Sequence, residues 1–274
     1  MWPRSRKSGE EILRIGRHAI ERWTLADGVL SMVASHGLGP DAGVLSHVAS
    51  LVDGVGVLYP AAPSIAITLV LESAWMPLVL VDAGLNVLRL AQVEALVRHR
   101  LSLQQWDAFD SVEAWELRIE YRAGQRHALA YGLSPHLKKA LVDAAEARGL
   151  RLAAMTAAFA WSWDRGSIDR RAMRSDAWWL CAEQDRTLVA RVDANRVTGL
   201  NPGAIPIANE SDVLTLVNIE QARMGLSTTA DAIAVAAWQA HSRPSGANQR
   251  FQWLDLRNPS GKHPQLTSEP KAAA

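Results

Sequence analysis

The chain has 274 residues, with 29 Lys+Arg against 28 Asp+Glu and a single cysteine, Cys181. That length supports one or two domains with real cores. The near-balanced charge excludes a strongly polyanion-directed protein, and one cysteine excludes a disulfide framework or a cysteine-built zinc site. Trp is over-represented, with 11 residues against 3 Tyr and 3 Phe.

The first ten residues carry three basic side chains and one acid, with no apolar run behind them. Positions 1–9 read as a flexible basic start and not as a secretory signal. Strands are expected at 12–15, 18–26 and 29–35, with Asp27-Gly28 as the hairpin signal between the last two. After Gly37-Leu-Gly-Pro40, Asp41 is the expected cap of a helix bearing Val44, Leu45, Val48, Leu51 and Val52 on one face and ending at Gly54. The apolar stretch 65–88 has the length of a membrane span, but Glu72, Pro77, Asp82 and Asn86 interrupt it. Its two short runs, ITLVL and PLVLV, predict two buried strands joined by a bend.

An α/β block follows at about 89–155. A helix over 89–103 turns Leu90, Val93, Val97 and Leu101 inward. The WELRIEY run at 115–121 alternates as a half-buried strand. Gly124 turns the chain into a strand over 127–133. Ser134-Pro135 is an N-cap followed by Pro at the first helical position, opening a helix that ends at Gly149. Another strand follows at 150–155, and Trp161 and Trp163 fall in a short helix after it.

The opening order then recurs. Strands are expected at 178–182, 187–192 and 196–200, with a turn at Asp193-Ala-Asn195. Asn201-Pro-Gly203 breaks the chain, Ser211 caps a helix ending at Gly225, and 232–238 is a buried strand. Corresponding features lie 165 to 170 residues apart. The predicted organisation is α/β, with duplicated β-β-β-α-β units at 10–172 and 173–241 and an α/β insertion inside the first. Positions 242–274 read as a mostly disordered polar tail with a strand-like patch at 251–256.

Catalytic signatures are missing. The chain has no GxxxxGK[ST], GxSxG or HExxH, and Gly37-Leu-Gly39-Pro-Asp-Ala-Gly43 has the wrong spacing for a dinucleotide loop. The eight His residues share no i,i+3 or i,i+4 pair, so no metal site is expected. Arg98-His99-Arg100 reads as a solvated helix end, with a basic patch as the alternative. Cys181 reads as a buried thiol. In the Trp178-Trp179 pair, neighbouring strand residues point to opposite faces, so one ring is expected outward as a candidate for partner binding.

The arrangement resembles the actin-like (RNase H-like) superfamily. Within it, the chain is similar to the degenerate actin-like assembly proteins, PilM of type IV pili and the cytoplasmic domain of GspL of type II secretion. The stretches that carry the resemblance are RIGRHAIERWTLADGVLSMV, ITLVLES and MPLVLVD leading into RLAQVEALVRHRL, LAYGLSPHLKKALVDAAEARGLRLAAM, and WWLCAEQDRTLVARV. ATP-binding members carry Asp-x-Gly on the first hairpin, whereas here it reads Arg14-Ile-Gly-Arg-His18, without an acid. The matching second hairpin, Ala182-Glu-Gln-Asp-Arg-Thr187, has no glycine for phosphate approach. The resemblance therefore implies a kept fold with ATPase and nuclease chemistry lost and no cofactor. It implies a non-enzymatic cytoplasmic adaptor without a nucleic-acid partner or a membrane span. Such an adaptor would bind a cytoplasmic peptide or domain of an inner-membrane assembly protein and couple it to the assembly ATPase. Two other readings stand beside it: an ATP-binding enzyme of this fold, and an unrelated α/β interaction domain whose apparent repeat is accidental.

Overall fold

A computed structural model of the chain describes residues 10–26, 29–39, 43–60, 65–82, 84, 89–103, 111–121, 125–165, 176–203, 205–226, 232–238 and 251–255. The expected turns at Asp27-Gly28 and Gly124, the expected cap at Asp41, positions 1–9 and most of the tail lie outside them.

The first unit begins with β1 (Glu10–Ile15), β2 (Ala19–Ala26) and β3 (Val29–Gly37), followed by α1 (Gly43–Leu58) and β4 (Ala66–Leu71). An inserted block then supplies β5 (Leu78–Asp82), α2 (Leu90–Ser102), a single 3-10 turn, β6 (Glu116–Glu120) and β7 (His127–Leu133). The first unit resumes with α3 (Pro135–Ala147), β8 (Arg151–Ala157) and α4 (Ala158–Arg165). The second unit comprises β9 (Ala177–Ala182), β10 (Thr187–Asp193), β11 (Arg196–Gly203), α5 (Glu210–Arg223), β12 (Ala232–Ala237) and β13 (Phe251–Asp255).

The repeat is real at the level of topology. The first sheet has the strand order β3-β2-β1-β4-β8, and the second has β11-β10-β9-β12-β13. In both, the first three strands form an antiparallel meander and the first strand pairs in parallel with the one after the helix. The strands β9, β10 and β11 and the helix α5 each begin 167 or 168 residues after their counterparts. An accidental repeat would not reproduce one non-sequential strand order twice, so the reading as an unrelated domain falls.

Parallel pairing requires cover on both faces, and the sequence supplies it. Ile12, Leu13 and Ile15 of β1 and Ile67, Leu69, Val70 and Leu71 of β4 are essentially inaccessible. Helices α1 and α3 pack against each other over the first sheet, while α4 touches β4, β8 and β9 and so ties the two sheets together. One hydrophobic cluster accordingly runs from Ile12 in the first unit to Trp238 in the second. A second cluster lies under α5, and a third is enclosed by α2 and the inserted sheet. No helix among the described residues is long and apolar enough to cross a membrane.

Several local expectations hold. Ser134 Oγ accepts from Leu137 N at 3.3 Å with Pro135 at the first helical position. Gly149 and Gly225 take positive φ just beyond their helices. Ala194 and Asn195 take positive φ in the β10–β11 turn.

Others are corrected. Gly54 lies inside α1, where a Cβ would come within 2.6 Å of Ile20 Cδ1, so the glycine serves close helix–sheet approach and does not end the helix. The strand β5 does not pair with β4. It joins β7 and β6 in the three-stranded inserted sheet, while β8 belongs to the first sheet. The inserted block therefore runs from Leu78 to Leu133 and not over 89–155. Leu90 is 60% exposed because it precedes the turn of α2 that packs on the sheet. Strand β11 continues through Pro202, which an edge strand tolerates. The cap of α5 is Asn209, whose side chain accepts from Asp212 N while Asp212 reaches back to Asn209 N, leaving Ser211 within the helix. The strand-like patch expected at 251–256 is borne out as a fifth strand, Phe251–Asp255, parallel to β12.

Candidate functional site

The two units meet through equivalent hairpins. In the first, Ile15 pairs with Ile20 and Gly16 N donates to Ala19 O at 3.0 Å. In the second, Ala182 pairs with Thr187 and Glu183 N donates to Arg186 O at 2.9 Å. Both loops span four residues, so Gly16 and Glu183 occupy matching positions.

Gln184 carries the second hairpin into the first. Its Oε1 accepts from the backbone N–H groups of His18 and Ala19, both at 3.0 Å. Its Nε2 donates to Ala19 O at 3.1 Å and to Glu21 Oε1 at 3.3 Å. A Cβ on Gly16 would overlap the Gln184 amide, so the absence of a side chain at position 16 is what lets Gln184 in. Trp75 Nε1 fixes the same hairpin by donating to Gly16 O at 2.9 Å.

The segment after β4 receives the rest of the turn. Gln184 N donates to the Glu72 carboxylate at 3.1 Å. Ser73 N donates to Glu183 Oε1 at 2.7 Å, and Ser73 Oγ pairs with Glu183 Oε2. Arg14, which faces Glu21 across the β1–β2 ladder, bridges Glu21 and Glu72. Arg14, Glu21, Glu72 and Glu183 are all buried.

Burial alone would depress Arg14, but Glu72 and then Glu21 outweigh it and hold the guanidinium above its ordinary value. For Glu72 burial raises the carboxyl, while Arg14 and the Gln184 amide act the other way. Glu183 is pushed up to about 8, first by burial and then by the neighbouring Glu72. Among the described residues Glu183 has no ion-pair partner, so burial and the neighbouring Glu72 charge favour its protonated form.

Beside this polar junction lies an aromatic one. Trp161 of α4 stacks on Trp238 at 4.4 Å, and Trp23 of β2 lies 5.6 Å from Trp238. Trp163 meets Trp179 edge-on at 5.2 Å. The Arg14 guanidinium sits 4.9 Å from the Trp238 ring, joining the two halves. Most of the tryptophan excess that the aromatic contacts place is thus spent filling the space between the units.

Trp178 and Trp179 do point to opposite faces, but the expected outward ring is corrected: both are 1% exposed. Strand β9 is central in its sheet and covered on both sides. Trp178 packs with Val213, Leu216 and Val217 of α5, and Trp179 packs in the inter-unit cluster. Cys181 is fully buried beside Ser162, and burial pushes its thiol up to about 12. Arg98 is taken up by Glu94 and the carbonyls of Val112 and Glu113, leaving His99 and Arg100 on the exposed face of α2.

A phosphate group would need free hairpin amides and room at the glycine. Here the amides of His18 and Ala19 are occupied by Gln184, Gly16 is covered, and Glu21, Glu72 and Glu183 surround the spot. The residues present do not fit a nucleotide triphosphate. One oxygen each of Glu72, Glu183 and Asp185 come within 4.8 Å of one another, but each carboxyl already has its own partner: Arg14, Ser73, or Arg17 and Arg186.

Sequence reasoning found both hairpins but missed the network joining them. The available signal was charge in apolar surroundings: Arg14 inside EEILRI and Glu72 closing ITLVLE are out of place in buried strands unless paired.

No protein-family profile matches the chain, and no curated protein matches it in sequence. Solved structures do match. A Bacteroides thetaiotaomicron protein with an actin-like ATPase fold and unknown function aligns at a TM-score of 0.56 and 10% identity, over 92% of this chain and 93% of that one. The cytoplasmic domain of EpsL, an inner-membrane component of the Vibrio cholerae type II secretion system, aligns at 0.51 and 14%, over 92% and 93%. A structure of the PilM-PilN type IV pilus biogenesis complex aligns at 0.53 and 10%, over 82% and 80%. The fold is actin-like.

Proposed function

We propose that this chain is a non-enzymatic adaptor of a type IV pilus or type II secretion-like assembly platform. It works on the cytoplasmic side and binds a cytoplasmic segment of an inner-membrane partner. The observation that carries this reading is the occupied inter-unit crevice, where Gln184 sits on the hairpin amides and tryptophans fill the remaining space. An actin-like fold without room for phosphates retains its surfaces but not its chemistry. The likeness to a PilM-PilN complex and to the EpsL cytoplasmic domain supports the choice of assembly system. The assembly ATPase is the second partner in this scheme.

Two measurements test it. Titration calorimetry with ATP and Mg²⁺ at high micromolar nucleotide should give no binding heat, and a saturable isotherm would restore the enzyme reading. Affinity capture from a membrane extract should recover an inner-membrane protein with a short cytoplasmic tail or an assembly ATPase. Recovery of neither would sink the adaptor role.

A further inference from the structure

We propose that Glu183 is a proton-operated clasp between the two units: its protonated carboxyl keeps the 183–186 turn docked on the first unit, and its ionisation lets the turn go. The proposal is independent of which partner binds.

The geometry supplies the device. Glu183 and Gln184 hold the second unit's turn to the 72–73 segment and to the first hairpin at once. The charged groups around Glu183 are Glu72 from the segment after β4, Arg14 from β1, Glu21 from β2, and Asp185 and Arg186 from its own turn. Arg17 of the first hairpin reaches Asp185 at 3.4 Å, and Cys181 of β9 lies buried nearby. Arg14 is committed to Glu21 and Glu72, while Arg17 and Arg186 are committed to Asp185. Among the described residues Glu183 is therefore the surplus carboxyl, hydrogen-bonded by the Ser73 amide and hydroxyl. In its neutral form the carboxyl O–H and the Ser73 hydroxyl make one bond between them. In its charged form Glu183 adds a third buried carboxylate beside Glu21 and Glu72, whose shared guanidinium, Arg14, is already bonded to both.

The sign follows from linkage. The carboxyl titrates near 8 when docked and about 4.3 when released to water. The docked state binds the extra proton between those values, so its advantage is complete below the ordinary carboxylate range. That advantage is lost as pH rises toward 8 and levels off above it.

Hydrogen exchange at the amides of His18, Ala19, Ser73 and Gln184 reads the opening directly, after normalising to the unstructured exchange rate at each pH. Protection at these amides is expected to fall by up to about tenfold per pH unit across pH 5.5–7.5 and to flatten near pH 8, as release of one proton requires. The β6–β7 amides of the inserted sheet serve as the control and should stay flat. Glu183→Gln should abolish the slope while keeping the clasp protected. Ser73→Ala removes a hydroxyl that favours the ionised carboxyl, so its plateau should move to higher pH; this variant carries the test if Glu183→Gln does not fold. Wild-type protection that ignores pH, a slope that survives Glu183→Gln, or a plateau that Ser73→Ala leaves in place would each overturn the clasp.

Discussion

The same ladder positions carry opposite chemistry in the two units. In the first, Arg14 faces Glu21, and Glu72 follows β4. In the second, the matching positions are Cys181 facing Leu188, with Trp238 following β12. One unit brings a charged triad to the junction and the other an apolar one, and Arg14 lies over Trp238 where they meet. An actin-like crevice can thus be closed from both sides by unlike means, ionic on one wall and aromatic on the other. The two walls should fail differently. A buried charge left alone is costly because it lacks a partner, whereas a missing ring leaves a hole.

The largest effect is expected from Arg14→Met, which strands Glu21 and Glu72 in the interior and should cost about 3–5 kcal/mol in denaturant unfolding. The comparison is sharpened by converting the wall: Arg14→Met with Glu21→Leu and Glu72→Met should regain much of that loss, since a well-packed apolar replacement for a buried ionic group is often neutral or better. A triple variant no more stable than the single one would show that the charges do more than satisfy each other. Trp238→Ala should cost about 3–5 kcal/mol by the same measurement, with no comparable rescue available. Gln184→Ala, which frees the His18 and Ala19 amides, should cost about 1–2 kcal/mol because water can reach part of the turn. Smallest is Arg191→Ala at the partly exposed pair with Asp176, worth about 0.5 kcal/mol and weakening further in high salt.

The fold was legible where the signal is local. Alternation marks β6, Ser134-Pro135 marks the start of α3, and the repeated spacing of turns and helices marks the duplication. It was illegible where meaning depends on a distant neighbour. Gly54 resembles a helix end until Ile20 is placed beside it. The PLVLV run looks the same whether it pairs with β4 or with β7. The site shows the same division. Both hairpins are readable as sequence, but the acceptor for Gln184 N is Glu72, 112 positions earlier in the chain. Strand alternation correctly separates Trp178 from Trp179, yet says nothing about cover on the second face.

Strand β13 closes the outer side of the second sheet from beyond position 250, lying parallel to β12 over Phe251–Asp255. A shortened chain ending at 241 would strip that strand and leave β12, AIAVAA, as a naked edge without a charge or a proline. Such a chain should keep its inter-unit junction and yet self-associate edge to edge. Its solubility would then report the loss of that one edge strand.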